Sequence, residues 1–157
     1  MLTIGKPAPA FALPDHNGKK TTLSSMKGRW VVLYFYPKDD TPGCTVEACE
    51  FTSGLRGFDR LDATVFGCSP DTSESHKKFI AKHALAITLL SDQDHAVHAS
   101  YGAWGEKVLH GKKSVGVIRS TVLIDPKGNV AHHWQKVKAE GHAEAVRAKL
   151  AELAAAR

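Results

Sequence analysis

Two cysteines and the residues around them carry the clearest chemistry in this 157-residue sequence. Cys44 and Cys49 lie in the segment Thr-Pro-Gly-Cys-Thr-Val-Glu-Ala-Cys at 41–49, soon after an apolar run at 30–36. The apolar run predicts a strand that is buried on both faces of a parallel sheet. Chemistry in such sheets gathers beyond the carboxyl ends of the strands, so a thiol just after this strand indicates redox catalysis.

The residues before Cys44 predict the start of a helix. Thr41 suits the N-cap, and Pro42 suits the first helical position. Gly43 adds no side chain, and Cys44 falls at the third helical position. The free backbone N–H groups there favour an anion such as a thiolate, by at most about 2 kcal/mol. A reactive free cysteine needs about 3 to 4 kcal/mol at neutral pH, so a permanent cation must lie nearby. Arg119 is a candidate among many basic residues, because a guanidinium stays charged when partly buried.

The spacing of Cys44 and Cys49 constrains how the two thiols can react. Five residues of straight helix rise about 7.5 Å. A disulfide needs Cα atoms about 4.4 to 6.8 Å apart with facing Cβ atoms. If the two thiols react with each other, the first turns of the helix must therefore unwind. The alternative is that Cys49 is a small buried residue on the inner face of the helix.

The chain resembles a known family in these residues. Pro37, Thr41 and Cys44 match the peroxiredoxin pattern P-x-x-x-T-x-x-C, and the stretch through Cys49 resembles the subfamily called bacterioferritin comigratory protein or peroxiredoxin Q. Further segments that resemble the family are 5–11, 69–71, 89–92, 101–107 and 119–125. The last of these begins with Arg119, so the resemblance singles this arginine out from the other basic residues.

The resemblance implies a thiol peroxidase. The Cys44 thiolate would attack the terminal oxygen of a hydroperoxide and become a sulfenic acid. Thr41 would hydrogen-bond the thiolate and the peroxide, and Arg119 would stabilise the thiolate and the charge on the breaking O–O bond. Pro37 would shield the site from bulk water.

The resemblance also implies how the cycle closes and which partners it needs. Cys49 would condense with the sulfenic acid to an intramolecular disulfide, which a thioredoxin-like or glutaredoxin-like donor would reduce by thiol–disulfide exchange. No metal or organic cofactor is required in this family. Intramolecular pairing favours a monomer.

The rest of the sequence predicts an α/β protein with a thioredoxin-like fold, as one domain over 1–157. Its length suits a single core, and 43% hydrophobic residues is ordinary for a globular protein. We expect an N-terminal β-hairpin and a central mixed sheet with helices on both faces. The predicted hairpin turn is 15–18, the later strands are 63–68, 86–90, 121–124 and 130–135, and the later helices are 73–83, 94–101 and 142–155.

The third cysteine, Cys68, falls at the end of a predicted strand. The simpler interpretation is a small buried residue, and the alternative is a second partner for Cys44. Some members of the family carry the resolving cysteine in the helix that follows, where this chain has Ile80. Cys49 is therefore the stronger candidate.

The histidines and one glycine-containing segment suggest sites that the spacing does not support. His95 and His98 are three apart on a predicted helix and lack further ligands, and His132 and His133 face opposite sides of a strand, so no metal site is predicted. The segment 105–113 lacks the spacing of a phosphate-binding loop and is predicted to be a basic surface loop.

Charge and hydropathy limit the partners. The formal net charge is +5, but the basic residues are dispersed and not interleaved with aromatics, which argues against nucleic-acid binding. The positive charge can steer the chain toward an acidic reductase. No apolar stretch approaches membrane length, and the first residues lack a signal-peptide core, so we expect no membrane contact and a cytoplasmic location.

Two other functions share the same cysteines. A thioredoxin-like oxidoreductase acting on protein disulfides would share the fold, but its C-x-x-C pair is absent, and 118–120 lacks the proline expected beside its active site. A non-enzymatic redox sensor or chaperone-like protein would use the cysteines to switch a binding surface. Peroxide turnover with a reductant separates these alternatives from a peroxidase.

Overall fold

A computed structural model describes residues 2–157. The strands are β1 (Ala12–Pro14), β2 (Lys20–Thr22), β3 (Trp30–Phe35), β4 (Ala63–Ser69), β5 (Thr88–Ser91), β6 (Trp104–Leu109), β7 (Lys112–Val117), β8 (Ser120–Ile124) and β9 (Val130–Trp134). The helices are α1 (Pro42–Ser53), α2 (Leu55–Asp59), α3 (Ser73–His83), α4 (Ala96–Ser100) and α5 (His142–Ala155). None of the helices described in 2–157 has the length and apolar character that crossing a membrane requires.

Five strands form one mixed sheet in the order β5-β4-β3-β8-β9. β3, β4 and β5 are mutually parallel, whereas β8 runs antiparallel to β3 and β9 antiparallel to β8. β1 and β2 pair as an antiparallel hairpin around the predicted turn. The thioredoxin-like fold class, with its central mixed sheet and N-terminal hairpin, is confirmed.

The central strand β3 divides the core into two layers. All six of its residues are buried, and successive side chains of a strand point to opposite faces. Trp30, Val32 and Tyr34 join the layer that holds residues of α1, α2, α3 and α5. Val31 and Phe35 join the other layer, which is covered by the N-terminal hairpin, α4 and the root of the β6–β7 hairpin. Both faces of the sheet are therefore covered.

The short helix α2 and the strands β6 and β7 were absent from the sequence prediction. Gly54 ends α1, and the short helix α2 begins at the next residue. The prediction of a loop over 105–113 is wrong, because β6 and β7 pair there as a hairpin. Its turn residues His110 and Gly111 have φ of 52° and 76°, a left-handed conformation suited to a tight hairpin turn. The segment is basic and largely exposed, so it lacks the alternation of buried residues that marks a strand in sequence.

Helix α1 is held against its surroundings by aromatic packing and by hydrogen bonds. Tyr34 stacks on Phe51 of α1 with ring centroids 4.6 Å apart, and Gly67 faces Tyr34 across the sheet. A Cβ on Gly67 would lie 2.7 Å from the phenol ring, so only glycine admits the ring there. Farther along α1, Glu50 Oε1 accepts a hydrogen bond of 2.8 Å from the backbone N–H of Gly141, the N-cap of α5. The two helices are thereby connected directly.

Candidate active site

The sheet topology brings together residues that are far apart in sequence. β8 is antiparallel to β3, so Ser120 at its start pairs with Phe35 at the end of β3. Arg119 precedes Ser120, and the loop after Phe35 leads to Cys44 in the first turn of α1. Cys44 and Arg119 are 75 residues apart in the chain and in direct contact in the fold.

The guanidinium of Arg119 contacts the buried thiol of Cys44. Arg119 Nη2 donates to Cys44 Sγ at 3.3 Å, and Cys44 is only 1% exposed. At that distance, a unit charge on each group and an effective dielectric near 20 give about 5 kcal/mol of attraction before desolvation costs. This is the size of contribution that the helix terminus alone cannot supply. A guanidinium at this distance stabilises negative charge on the sulfur.

The backbone of α1 leaves room for this contact at Gly43. A Cβ on Gly43 would lie 3.1 Å from Arg119 Nη2, which is closer than ordinary packing allows. The guanidinium therefore lies directly against the first turn of the helix. A side chain at position 43 would push Arg119 away from Cys44.

Glu47 is a site residue that the sequence analysis did not identify. It is fully buried, and its Oε1 accepts a hydrogen bond of 2.6 Å from Arg119 Nη1, so one guanidinium spans Glu47 and Cys44. Burial raises the pKa of Glu47 to about 7, although Arg119 opposes the rise. Glu47 Oε2 has no hydrogen-bond partner among residues 2–157. The sequence feature that could have identified Glu47 is its position three residues after Cys44, on the same face of the predicted helix.

Pro37 and Thr41 lie on the loop between β3 and α1. The Thr41 hydroxyl donates to the carbonyl of Lys38 at 2.8 Å and does not cap the helix, and within 2–157 it makes no hydrogen bond to Cys44. Because its proton is used there, its lone pairs are free to accept a hydrogen bond. Pro37 lines a groove of about 220 Å³ next to Arg119, whose apolar walls include Val117 and Val137.

A buried network holds the loop between β3 and α1. Asp39 accepts hydrogen bonds from Tyr36 Oη at 2.6 Å and from Ser75 Oγ at 2.8 Å, and its other neighbour is His76 Nδ1 at 2.7 Å. The Nε2 atom of His76 faces the carbonyl of Leu90 at 2.9 Å. The His76 ring is therefore held between the Asp39 carboxyl group and the carbonyl of Leu90.

A second pair of contacts holds the same loop from the surface. Asp40 has a φ of 60°, and its carboxylate lies 2.6 Å from Lys82 Nζ and 2.8 Å from His83 Nε2. All these partners except Tyr36 and Leu90 belong to α3. Helix α3 therefore fixes the segment that carries Pro37 and Thr41 toward the thiol.

The second cysteine of the motif is close in sequence but not positioned for a disulfide. Cys49 is half-buried and packs against the core, and both thiols are free. Helix α1 is continuous over 42–53, so five residues of helix separate Cys44 from Cys49. A disulfide between them requires these turns to unwind.

The third cysteine has different surroundings. Cys68 is fully buried at the end of β4, and burial together with the charge of Asp92 raises the pKa of its thiol well above the ordinary range. Asp92 Oδ2 lies 2.6 Å from His98 Nδ1 and also accepts from the backbone N–H of His98 at 2.8 Å. No cation of arginine type contacts Cys68 among the described residues. The structure therefore agrees with the interpretation of Cys68 as a small buried residue.

Two groups of side chains have ligand-type atoms within 4.8 Å of one another, namely Cys68 with Asp92 and His98, and Asp39 with Asp71 and His76. A structural zinc site takes four protein ligands. Each group offers three, and each carboxylate–histidine pair is already joined by a hydrogen bond. Hydrogen bonding accounts for these pairs.

The fold and this site together define a class of enzyme. The sheet is thioredoxin-like, and the thiol at the start of α1 is matched by a guanidinium rather than by a second cysteine at C-x-x-C spacing. That combination is typical of a thiol peroxidase rather than of a protein-disulfide oxidoreductase.

The comparisons with known proteins agree with this class. The AhpC/TSA family matches residues 4–133, and the chain belongs to this family. Peroxiredoxin Bcp of Bacillus subtilis is 45% identical over 141 residues, which cover 90% of each chain. Peroxiredoxin Bcp of Escherichia coli is 40% identical over 145 residues, covering 92% of this chain and 93% of the relative.

A solved structure of the bacterioferritin comigratory protein from Xanthomonas campestris superposes with a TM-score of 0.90 at 41% identity, covering 97% of this chain and 99% of that one. That protein is described as having alkyl peroxide reduction activity. The resemblance to peroxiredoxins, and to the bacterioferritin comigratory protein and peroxiredoxin Q subfamily, is confirmed. The chain is a thiol peroxidase, which acts on a peroxide and needs a thiol reductant.

Proposed function

We propose that this chain reduces hydrogen peroxide and organic hydroperoxides through a Cys44 thiolate, a Cys44 sulfenic acid and a Cys44–Cys49 disulfide. The observation that carries the proposal is the guanidinium of Arg119, 3.3 Å from the buried sulfur. It supplies the fixed positive charge that both a thiolate and a departing oxyanion need.

In the first step, the Cys44 thiolate attacks the terminal oxygen of the peroxide and the O–O bond breaks. The sulfur is oxidised to a sulfenic acid, and the other oxygen leaves as an alkoxide or hydroxide that takes up a proton to become an alcohol or water. Arg119 stabilises the developing charge. Thr41 accepts a hydrogen bond from the peroxide O–H, because its own proton is donated to Lys38.

In the second step, the thiol of Cys49 attacks the sulfenic sulfur. An S–S bond forms, the S–O bond breaks, and the oxygen leaves as water with the proton lost from Cys49. The continuous helix α1 keeps the two residues apart, so unwinding of α1 precedes this step. Gly54, at which α1 ends, provides a boundary for that local unfolding.

A dithiol protein of thioredoxin or glutaredoxin type then reduces the disulfide by exchange and is itself oxidised to a disulfide. The thiol pair cycles only where disulfides are reduced, which favours the cytoplasm. Because both thiols belong to one chain, a monomer over 1–157 suffices as the catalytic unit.

Mass spectrometry after one equivalent of hydrogen peroxide tests this proposal. The wild-type chain should lose two hydrogens and yield a Cys44–Cys49 peptide, and Cys49→Ser should instead gain one oxygen at Cys44. Cys68→Ala is the matched control and should give the wild-type pattern. A Cys44–Cys68 peptide would move the resolving role to Cys68, and absence of oxidation at Cys44 would refute the proposal.

A further inference from the structure

Three exposed valines lie on the elements that flank Arg119. Val108 and Val115 in the β6–β7 hairpin are 64% and 67% exposed, and they are two of the four large hydrophobic residues described as exposed. A third, Val46, is 41% exposed and lies two residues after Cys44 on α1. Exposed apolar residues near a functional site are a mark of an interaction surface.

Five lysines lie in the same hairpin as two of these valines and in the neighbouring segment after β9. The hairpin carries Lys107, Lys112 and Lys113, and the segment after β9 adds Lys136 and Lys138. All of these except Lys107 are exposed. The acidic residues in the same two segments are Glu106, which lies 3.7 Å from Lys113, and Glu140. The surface therefore has a clear positive charge.

This surface is continuous with the active site. The backbone N–H of Val137 donates to the carbonyl of Arg119 at 3.0 Å, which places the segment after β9 beside the catalytic guanidinium. Lys107 and Lys136 line the same groove as Pro37 and Arg119. A molecule that contacts the hairpin and this segment therefore also covers the entrance to Cys44.

A peroxide is too small to account for such a surface. Six-residue strands span roughly 17 to 20 Å, which is the scale of a protein contact. The one macromolecule that the proposed cycle requires at Cys44 is the dithiol reductant. A second copy of this chain fits poorly, because two faces of equal positive charge repel.

We propose that the hairpin surface, made of β6, β7 and residues 136–138, docks the protein reductant, and that the reductant presents an acidic rim around an apolar contact. This inference rests on the disulfide cycle proposed above. The exposed lysines raise the rate of encounter, and the valines are covered in the complex. Because the charges are solvent-exposed, their contribution is lost at high salt.

The test is a charge reversal with a matched control. The double variant Lys112→Glu/Lys113→Glu changes two adjacent lysines in the β6–β7 hairpin, and Lys19→Glu/Lys20→Glu makes the same change in the β1–β2 hairpin. The control hairpin bridges to Leu90 at the β5 side of the molecule, away from β8 and β9. Peroxide consumption is followed with an acidic thioredoxin and, separately, with dithiothreitol, at 20 mM and 500 mM salt.

We expect the KM for thioredoxin of the 112/113 variant to rise about tenfold at low salt and to approach wild type at high salt, as exposed charges are screened. The 19/20 control should change it less than twofold, and turnover with dithiothreitol should be unchanged in both. Equal effects of the two pairs, or none, would overturn the docking proposal. A parallel loss with dithiothreitol would also overturn it, because the lysines would then act on the chemistry.

A second variant tests the apolar part independently of charge. Val115→Ser should raise the KM for thioredoxin about threefold at both salt concentrations, whereas the equally exposed Ile4→Ser should not. Failure of the proposed function looks different, since it would appear as absence of the Cys44–Cys49 peptide in the wild-type chain. An unchanged KM in Val115→Ser would show that the valines are not covered in the complex.

Discussion

Cys44 and Cys68 are both almost completely buried near the carboxyl ends of adjacent parallel strands, and their neighbours carry opposite charge. Cys44 lies 3.3 Å from the guanidinium of Arg119. Cys68 lies near the carboxylate of Asp92, and burial and that charge raise the pKa of its thiol. The two thiols are almost equally buried, so we expect the charged groups around them, and not burial, to decide which one reacts.

Removing each thiol in turn tests most directly whether Cys44, and not Cys68, is the nucleophile. Cys44→Ser should abolish peroxide turnover with dithiothreitol, by at least about a thousandfold, because the nucleophile is lost. Cys68→Ala should stay within twofold of wild type, because Cys68 lies outside the proposed cycle. Steady-state peroxide consumption measures both. Retained turnover in Cys44→Ser would contradict the assignment of the nucleophile.

The next largest effect should come from the charge beside Cys44. Arg119→Gln should lower the second-order rate with hydrogen peroxide by about 100-fold to 1000-fold, in the range seen when one donor to an oxyanion is removed. The change also leaves Glu47 buried without its partner, so the double variant Arg119→Gln/Glu47→Gln serves as a control with no buried charge. Stopped-flow measurement of both variants is the readout. A fast double variant would show that Arg119 acts through Glu47 and not on the sulfur.

The two carboxyl groups beside these thiols should respond to pH in opposite ways. The pKa of Glu47 is raised to about 7 in the folded protein, whereas its ordinary value is near 4.5. Between these two pH values the folded protein therefore keeps a proton on Glu47 that the unfolded chain has lost. Its contribution to stability is full below pH 4.5 and lost as pH rises through 7, by about 3 kcal/mol in total. Burial opposes a low pKa at Asp92, but the hydrogen bonds from His98 still lower it, so its contribution is present at neutral pH and lost in acid.

Glu47→Gln checks the sign of this effect. Between pH 5 and pH 7.5 the free energy of unfolding of wild type relative to the variant should fall, because only wild type must ionise a buried group. Urea denaturation of the reduced proteins at both pH values gives that difference. His142, whose pKa burial lowers to about 4, titrates in both proteins and cancels. A difference that is constant with pH would contradict a raised pKa at Glu47.

The smallest effect on the rate of reaction with peroxide should come from substitution of Thr41. Thr41→Val removes the hydroxyl and its bond to Lys38, and should lower the peroxide rate about tenfold, which corresponds to one hydrogen bond of about 1.4 kcal/mol. Thr41→Ser keeps the hydroxyl and should stay within threefold. Equal rates for the two variants would show that the hydroxyl does not contact the peroxide.

Much of this arrangement was predictable, because its signals are local in sequence. The apolar run of β3 and the residues before Cys44 predict the strand and the helix start, and the family pattern indicates Arg119. Glu47 was missed because a glutamate on a helix is usually exposed, and only the fold shows that this one points inward at Arg119. The β6–β7 hairpin was missed because its strands have no consistently buried face.

The hydrogen bond between Glu50 and the backbone N–H of Gly141 links helix α1, which carries Cys44 and Cys49, to the start of the C-terminal helix α5. In the proposed cycle, formation of the Cys44–Cys49 disulfide would unwind α1 beside Glu50, and the backbone N–H of Gly141 would then lose this acceptor. The start of the C-terminal helix would thus report the oxidation state of the two cysteines. Amide hydrogen exchange at Gly141 would follow each turnover without any label near the sulfur.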